Sequence, residues 1–278
     1  MAMTQRYMAV WSLAALATVL PGCGARQGPA RQAEVAVTNS YLAAAVRDLC
    51  GDDMEVLCLA PPGMCPGHFD ISPSQVEQLC RTRLLLLFDF QTQVEASLSR
   101  IKQRGVKTAF VKSPGALCLP QAYRAICDQV AAILSDECPD IGPTAAQRMA
   151  SVESQVEILE AELPDAVRQA GLTGAEVLAS RRQAEFARWL GLEVVAEFVG
   201  SDIETVSNVD ACLKKAQGRD IRFVIANRQE GTALAESLAD RLGARPVVFT
   251  NFPEDADGPG AYAAMVRANV AALIEAAR

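Results

Sequence analysis

The run Leu84-Leu85-Leu86-Leu87-Phe88 decides the fold class of this 278-residue chain. Its five apolar residues show no alternation with polar side chains, which predicts a strand covered on both faces. Strands of this kind belong to parallel sheets with helices on either side. The preceding Ser72-Pro73-Ser74-Gln75 predicts a helix start, because Ser72 can cap the helix and Gln75 can complete a capping box.

Outward from this run, strands and helices alternate along the whole chain. In the N-terminal half, we predict strands at 34–38, 55–59, 84–88 and 107–111, and helices at 41–50, 94–104 and 120–134, besides the one beginning near Ser72. In the C-terminal half, we predict strands at 176–179, 193–198, 223–226 and 246–249, and helices at 182–190, 209–217, 232–242 and 261–277. This order is typical of the α/β class with mostly parallel sheets. We therefore predict two α/β lobes, at 34–142 and 172–278, with a ligand cleft between them.

The segment between the two lobes, 143–171, is predicted to be one long bridging helix. Its apolar residues recur at steps of three and four and form one narrow stripe. The stripe consists of Met149, Val152, Val156, Leu159 and Leu163. We expect Pro164 to kink or interrupt this helix, because proline lacks a backbone donor and clashes with the preceding turn.

The N-terminus has the pattern of an export signal. Arg6 precedes an uncharged apolar run from Met8 to Leu20, which is too short to span a bilayer but suits a signal peptide. Leu20-Pro21-Gly22-Cys23 then resembles a bacterial lipobox, whose cysteine becomes the acylated first residue. We predict a signal peptide at 1–22, lipidation of Cys23 and a flexible tether at 23–33; the alternative is an ordinary signal peptide cleaved nearby.

The composition restricts the chemistry that the chain can perform. The formal charge of −7 argues against a nucleic-acid partner that is bound through broad electrostatics. A single histidine beside nine cysteines excludes any metal site made only of histidines. Without Cys23, eight cysteines remain, which permits four disulfides in an oxidising compartment but leaves their connectivity open.

Five loops follow the carboxyl ends of predicted strands, where open α/β sheets bind their ligands. They cover residues 60–71, 112–120, 180–183, 227–231 and 250–260. Two lobes that face each other through these loops would form a cleft for a small ligand.

With the loops placed, the order of motifs resembles the metal-binding components of ABC importers, the zinc/manganese-type ZnuA/TroA-like family. The resemblance covers nearly all of the chain after the signal peptide. The matching segments are 35–56, Pro61-Pro62-Gly63 with His68 and Ser72-Pro73-Ser74, 113–120, 186–195, Leu234-Ala235-Glu236 and 242–244. The resemblance implies a cleft binder that captures a metal and delivers it to a permease and its ATPase, with no catalysis and no organic cofactor.

The family's metal ligands carry over only in part. His68 stands at the position of the first ligand histidine, whereas the second falls at Gly115. The third falls within Ser180-Arg181-Arg182, and the acidic ligand falls near Asn227 or Asn251. The site implied by the resemblance therefore lacks most of its imidazoles and its carboxylate.

Cysteines in the first two ligand loops could rebuild a site. Cys65 lies three residues before His68, and thiolate and imidazole suit zinc or a softer ion such as Cu(I). Cys118 could be a third ligand, and Asp70 or Asn227 could complete the shell. Disulfides compete with this hypothesis, with Cys58–Cys65 and Cys65–Cys118 both conceivable. A guanidinium of Arg181 or Arg182 that faced the cleft would favour an anionic or chelated ligand.

Three functions remain open at this point. The leading hypothesis is a lipid-anchored solute-binding protein that captures a metal ion, zinc first, or a metal-containing solute on the outer side of a membrane. The second is a degenerate relative that acts as an adhesin or a structural partner. The third, an enzyme that uses Cys65 and His68 or a redox pair of cysteines, is disfavoured because nucleophile-elbow, CxxC and phosphate-loop motifs are missing from the sequence.

Overall fold

The computed structural model describes residues 33–51, 54–60, 71–91, 103, 105–200, 206–254 and 257–278. The predicted signal peptide, the tether, nearly all of the helix at 94–104 and the loop at 61–70 lie outside these residues. Within the described part, no helix is both long and apolar enough to cross a membrane.

The N-terminal sheet is parallel, as the run at 84–88 predicts. Its strands are β1 (Val35–Val37), β2 (Val56–Cys58), β3 (Leu84–Phe88) and β4 (Lys107–Val111), in the order β2-β1-β3-β4. Every residue of β3 is buried. The helices of this lobe are α1 (Ser40–Cys50), α2 (Pro73–Leu79) and α3 (Pro120–Glu137). The predicted capping box of α2 is confirmed, since Ser72 and Gln75 bond each other's backbone N–H groups.

The C-terminal sheet repeats this topology. Its parallel strands are β5 (Glu176–Ser180), β6 (Glu193–Phe198), β7 (Phe223–Asn227) and β8 (Arg245–Phe249), in the order β6-β5-β7-β8. The helices of this lobe are α5 (Ala184–Trp189), α6 (Val206–Ala216), α7 (Ala233–Leu242) and α8 (Ala261–Ala276), with a 3-10 turn at Arg228–Glu230. The predicted fold class, two α/β lobes with parallel sheets, is confirmed.

The long bridging helix, α4 (Gly142–Gln169), is confirmed as one element. It continues through Pro164, so the expected interruption at this residue is wrong, whereas the alternative, a kink, stays a prediction. The predicted stripe is buried at all of its positions except the half-buried Met149. This stripe belongs to a core cluster that contains residues of both sheets, so packing against the lobes holds the helix together at the cost of one backbone hydrogen bond.

At Gly142, the start of α4 lies very close to the backbone of α3. A Cβ atom at this position would lie 2.6 Å from the Cα atom of Ser135 in α3. No residue other than glycine fits there without a backbone shift, so the junction between the first lobe and the bridging helix depends on Gly142.

Three buried tyrosines position the loop that precedes α3. The rings of Tyr123 and Tyr262 stack with centroids 3.8 Å apart, and Tyr41 packs edge-on against both. The Tyr41 hydroxyl donates to the carbonyl of Leu117 at 2.9 Å, and the Tyr262 hydroxyl donates to the carbonyl of Cys118 at 2.9 Å. Because Tyr41 lies in α1 and Tyr262 in α8, both lobes fix the backbone at Cys118.

Candidate functional site

Cys118 lies where the loops of the two sheets meet. It is 1% exposed, and its one thiol proton is shared between the side-chain oxygen of Asn251 at 3.1 Å and the carbonyl of Thr250 at 3.2 Å. Cys118 precedes α3 in the N-terminal lobe, whereas Thr250 and Asn251 follow β8 in the C-terminal lobe. The thiol is thus a direct hydrogen-bonded link between the lobes at the carboxyl ends of their strands.

The thiol form of Cys118 is strongly favoured over the thiolate. Burial raises the pKa of Cys118 to about 12, although the neighbouring side-chain amides of Gln183 and Asn269 lower it in part. Deprotonation of Cys118 to a thiolate ligand would therefore cost free energy, because the buried negative charge is not hydrated.

Gln183 joins the other polar side chains at this point. It is fully buried just before α5, and its Nε2 group donates to Asn227 Oδ1 and to Asn251 Oδ1, both at 3.1 Å. The Nδ2 group of Asn251 donates to Asn227 Oδ1 at 3.3 Å. We call Cys118, Gln183, Asn227 and Asn251 the amide cluster. Among the described buried side-chain nitrogen and oxygen atoms, Gln183 Oε1 alone lacks a hydrogen-bond partner.

A second set of polar side chains fixes the cluster from the C-terminal lobe. The buried Asn269 of α8 accepts from the Thr250 N–H at 3.0 Å and donates to the Thr250 carbonyl at 2.9 Å. Gln229 accepts from the Asn251 N–H at 3.1 Å and donates to the Thr250 hydroxyl at 2.8 Å. The backbone that carries Asn251 is therefore held on both sides.

Ser180 and Arg182 form a separate contact beside the cluster. The buried Ser180 hydroxyl donates to a carboxylate oxygen of Glu230 at 2.5 Å, and Arg182 lies 3.8 Å from the other oxygen. The Arg182 side chain is largely exposed. The Glu230 carboxylate is thus held by a hydroxyl and a guanidinium.

Gly115 occupies the exposed part of its loop with a φ of +98°. Its N–H donates to the Ser113 hydroxyl at 3.4 Å, within the same loop. A side chain would meet nothing within 4 Å, but an L-residue rarely adopts this backbone conformation. The glycine is thus required by the turn itself.

Three predicted ligands, Cys65, His68 and Asp70, lie outside the described residues, as does Cys23. Among the described residues, no group of three His, Cys, Asp or Glu side chains is placed to hold a metal ion. Cys58 and Cys118 carry free thiols. Cys65, the shared partner in both disulfides considered from the sequence, lies outside the described residues, so these pairings stay predictions.

The comparison with known families agrees with this architecture. Residues 35–276 match the ZnuA family, described as zinc-uptake complex component A, periplasmic. The chain belongs to this family. Its members are metal-binding solute-binding proteins rather than enzymes, which confirms the predicted resemblance.

Solved structures show the same fold at low identity. A crystal structure of ZnuA is 16% identical with a TM-score of 0.71, covering 88% of this chain and 99% of that one. The solute-binding protein FpvC from Pseudomonas aeruginosa, in complex with Mn2+, is 14% identical with a TM-score of 0.71, covering 88% and 98%. A Cd-bound periplasmic metal-binding protein from Candidatus Liberibacter asiaticus is 12% identical with a TM-score of 0.69, covering 88% and 99%. No curated protein matches the sequence.

Sequence reasoning missed the residue at the centre of the cluster. Gln183 lies in a predicted ligand loop, but the predicted helix at 182–190 begins two residues before the observed start of α5 at Ala184. With the correct start, Gln183 is the polar residue that precedes the buried Ala184, Phe186 and Ala187. A polar residue directly before a helix with a buried face could have identified Gln183 as a candidate for a buried polar contact. Asn269, inside the apolar α8, is a similar one.

Proposed function

We propose that the protein is the exported, lipid-anchored solute-binding component of an ABC importer. It captures a metal ion or a metal-containing solute between its lobes and presents it to a permease and its ATPase. The lipid attached to Cys23 holds the protein on the outer side of a membrane.

One observation carries this proposal. The loops at the carboxyl ends of both parallel sheets meet at the contact between Cys118 and Asn251, and this is where α/β sheets bind small ligands. Membership of the ZnuA family and the fold shared with metal-bound solute-binding proteins support a metal as the cargo.

His68 and Cys65 are the proposed metal ligands, with Cys118 as a further ligand and Asp70 completing the shell. Asn227, the alternative to Asp70, would first have to give up one of the two hydrogen bonds that its side-chain oxygen accepts. Gly115, Ser180, Arg182 and Asn251 are proposed to line the cleft. Zinc is the first ion to test, because imidazole and thiolate are its preferred ligands.

Metal analysis of the full chain tests capture. Protein purified under reducing conditions is expected to hold about one metal ion per chain. The His68→Ala, Cys65→Ser double variant should lose that metal, and Cys212→Ser, on the buried face of α6, should keep it as a matched thiol control. Metal-free, folded protein under every condition would instead favour the degenerate relative that acts as an adhesin or structural partner.

Fractionation of cells tests the anchor. The wild type should enter the membrane fraction and incorporate a labelled fatty acid, whereas Cys23→Ser should do neither. A wild type recovered without lipid in the soluble exported fraction would support cleavage as an ordinary signal peptide.

A further inference from the structure

The oxygens predicted as ligands in the C-terminal lobe are already occupied. Asn227 Oδ1 accepts hydrogen bonds from Gln183 and Asn251, and Asn251 Oδ1 accepts from Gln183 and Cys118. A carbonyl oxygen has two lone pairs, so neither oxygen keeps a free one for a bound ion. Within the amide cluster, the remaining acceptor is Gln183 Oε1, which is buried and unpartnered.

The cluster also carries no negative charge. Its amides are neutral, and its thiol is buried and donates hydrogen bonds to two oxygens. On the neighbouring loop, the Glu230 carboxylate is engaged by Ser180 and Arg182. A bare divalent cation placed here would bring two positive charges into a buried region with nothing in the cluster to balance them.

We infer that Gln183 is a specificity-determining residue, which lowers the affinity of the site for a bare divalent cation. Its two N–H groups donate to Asn227 Oδ1 and Asn251 Oδ1, so these oxygens are not free to bind an ion. Its own unpartnered oxygen, Oε1, is uncharged and therefore cannot balance the charge of a cation. Among the described residues, the amide cluster thus offers one uncharged and unpartnered oxygen, which suits a solute that brings its own charge balance, such as a chelated metal. This inference rests on the proposed function.

Isothermal titration of metal-free, reduced full chain with Zn2+ alone and with Mn2+ alone tests the inference. Gln183→Glu adds a negative charge and removes both donated hydrogen bonds, so affinity for each ion should rise by about tenfold or more. Gln217→Glu is the matched control, because it adds the same charge at an exposed turn after α6. We expect that variant to change the affinity by less than about twofold, since exposed charges are screened.

Asn251→Asp is a second variant, which tests the inference even if Gln183→Glu does not fold. It is nearly isosteric, keeps an oxygen for Gln183 and Cys118, and should also raise the affinity for both ions. Unchanged affinity in a folded Gln183→Glu or Asn251→Asp protein would overturn the inference. If the wild type binds as tightly as these variants, only the inference fails. If neither the wild type nor any variant binds either ion, the proposed capture of a bare metal ion fails together with the inference.

Discussion

The Cys118 thiol and the Asn251 side-chain oxygen lie 3.1 Å apart and join the two lobes by a direct hydrogen bond. The bond connects the loop before α3 to the residue after β8. Because Gln183 donates to the same Asn251 oxygen, this link and the amide cluster form one network. At the amide cluster, the lobes are therefore joined by neutral hydrogen bonds.

This burial makes a prediction about thiol reactivity. Cys118 is buried with its pKa raised to about 12, so alkylation at pH 8 should require opening of the structure. The half-buried Cys80 is the control within the same chain. Mass spectrometry of iodoacetamide-treated protein should show Cys80 modified well before Cys118. Equal rates in the native protein would contradict the buried position of Cys118.

The carboxyl of Asp48 predicts a pH dependence of stability. Burial raises its pKa above the ordinary value of 3.8, although bonds from the Tyr123 hydroxyl and the Gly260 N–H lower it in part. The folded state therefore holds the Asp48 proton more tightly than the unfolded chain. This contribution to the free energy of unfolding is fully present below pH 3.8 and is lost as the pH rises through the folded pKa.

Asp48→Asn should remove the loss of stability that accompanies deprotonation of Asp48 as the pH rises. Urea unfolding between pH 3.5 and 7 should give a smaller decrease of stability with rising pH than the wild type shows. Asp136→Asn, on the exposed face of α3, is the control and should retain the wild-type profile. An Asp48→Asn profile parallel to that of the wild type would show that this carboxyl does not titrate abnormally.

The backbone at Gly115 predicts the effect of restoring a histidine there. Since the φ of +98° disfavours every L-residue, Gly115→His and Gly115→Ala should each lower the free energy of unfolding by about 1–3 kcal/mol. The two losses should be similar, because the strain lies in the backbone and a Cβ atom at this position would meet nothing within 4 Å. A histidine variant as stable as the wild type would show that the loop adopts another conformation.

The proline inside α4 predicts a stabilising substitution. Pro164→Ala supplies the missing backbone donor and should raise the free energy of unfolding by about 1–3 kcal/mol. Pro143→Ala is the matched control, because a proline in the first turn of the same helix interrupts no hydrogen bond. Equal effects of the two substitutions in urea unfolding would contradict this explanation.

Local patterns were sufficient to predict the fold. The run at 84–88 identified a doubly covered strand, and the stripe from Met149 to Leu163 identified the bridging helix, because both periodicities follow directly from burial. The uninterrupted course through Pro164 was not predictable, since it depends on packing against both lobes, which outweighs one lost hydrogen bond.

The candidate site was predictable only as a set of loops. Strand ends placed Cys118, Asn227 and Asn251 near one another, and the structure joins them in one cluster. The role of Gln183 was not predicted, because it depends on where α5 begins. The predicted start of this helix lies two residues before the observed one. Which oxygens are saturated depends on contacts between lobes, and no local pattern encodes them.

A double-mutant cycle in metal-free protein tests most directly whether neutral hydrogen bonds join the lobes. Cys118→Ala, Asn251→Ala and the combined variant are compared with the wild type in urea unfolding. Because the two side chains share a hydrogen bond in one network, the sum of the two single losses should exceed the loss in the combined variant by about 0.5–3 kcal/mol, the coupling energy. Losses that add to within about 0.3 kcal/mol would show that Cys118 and Asn251 do not interact and would contradict the account.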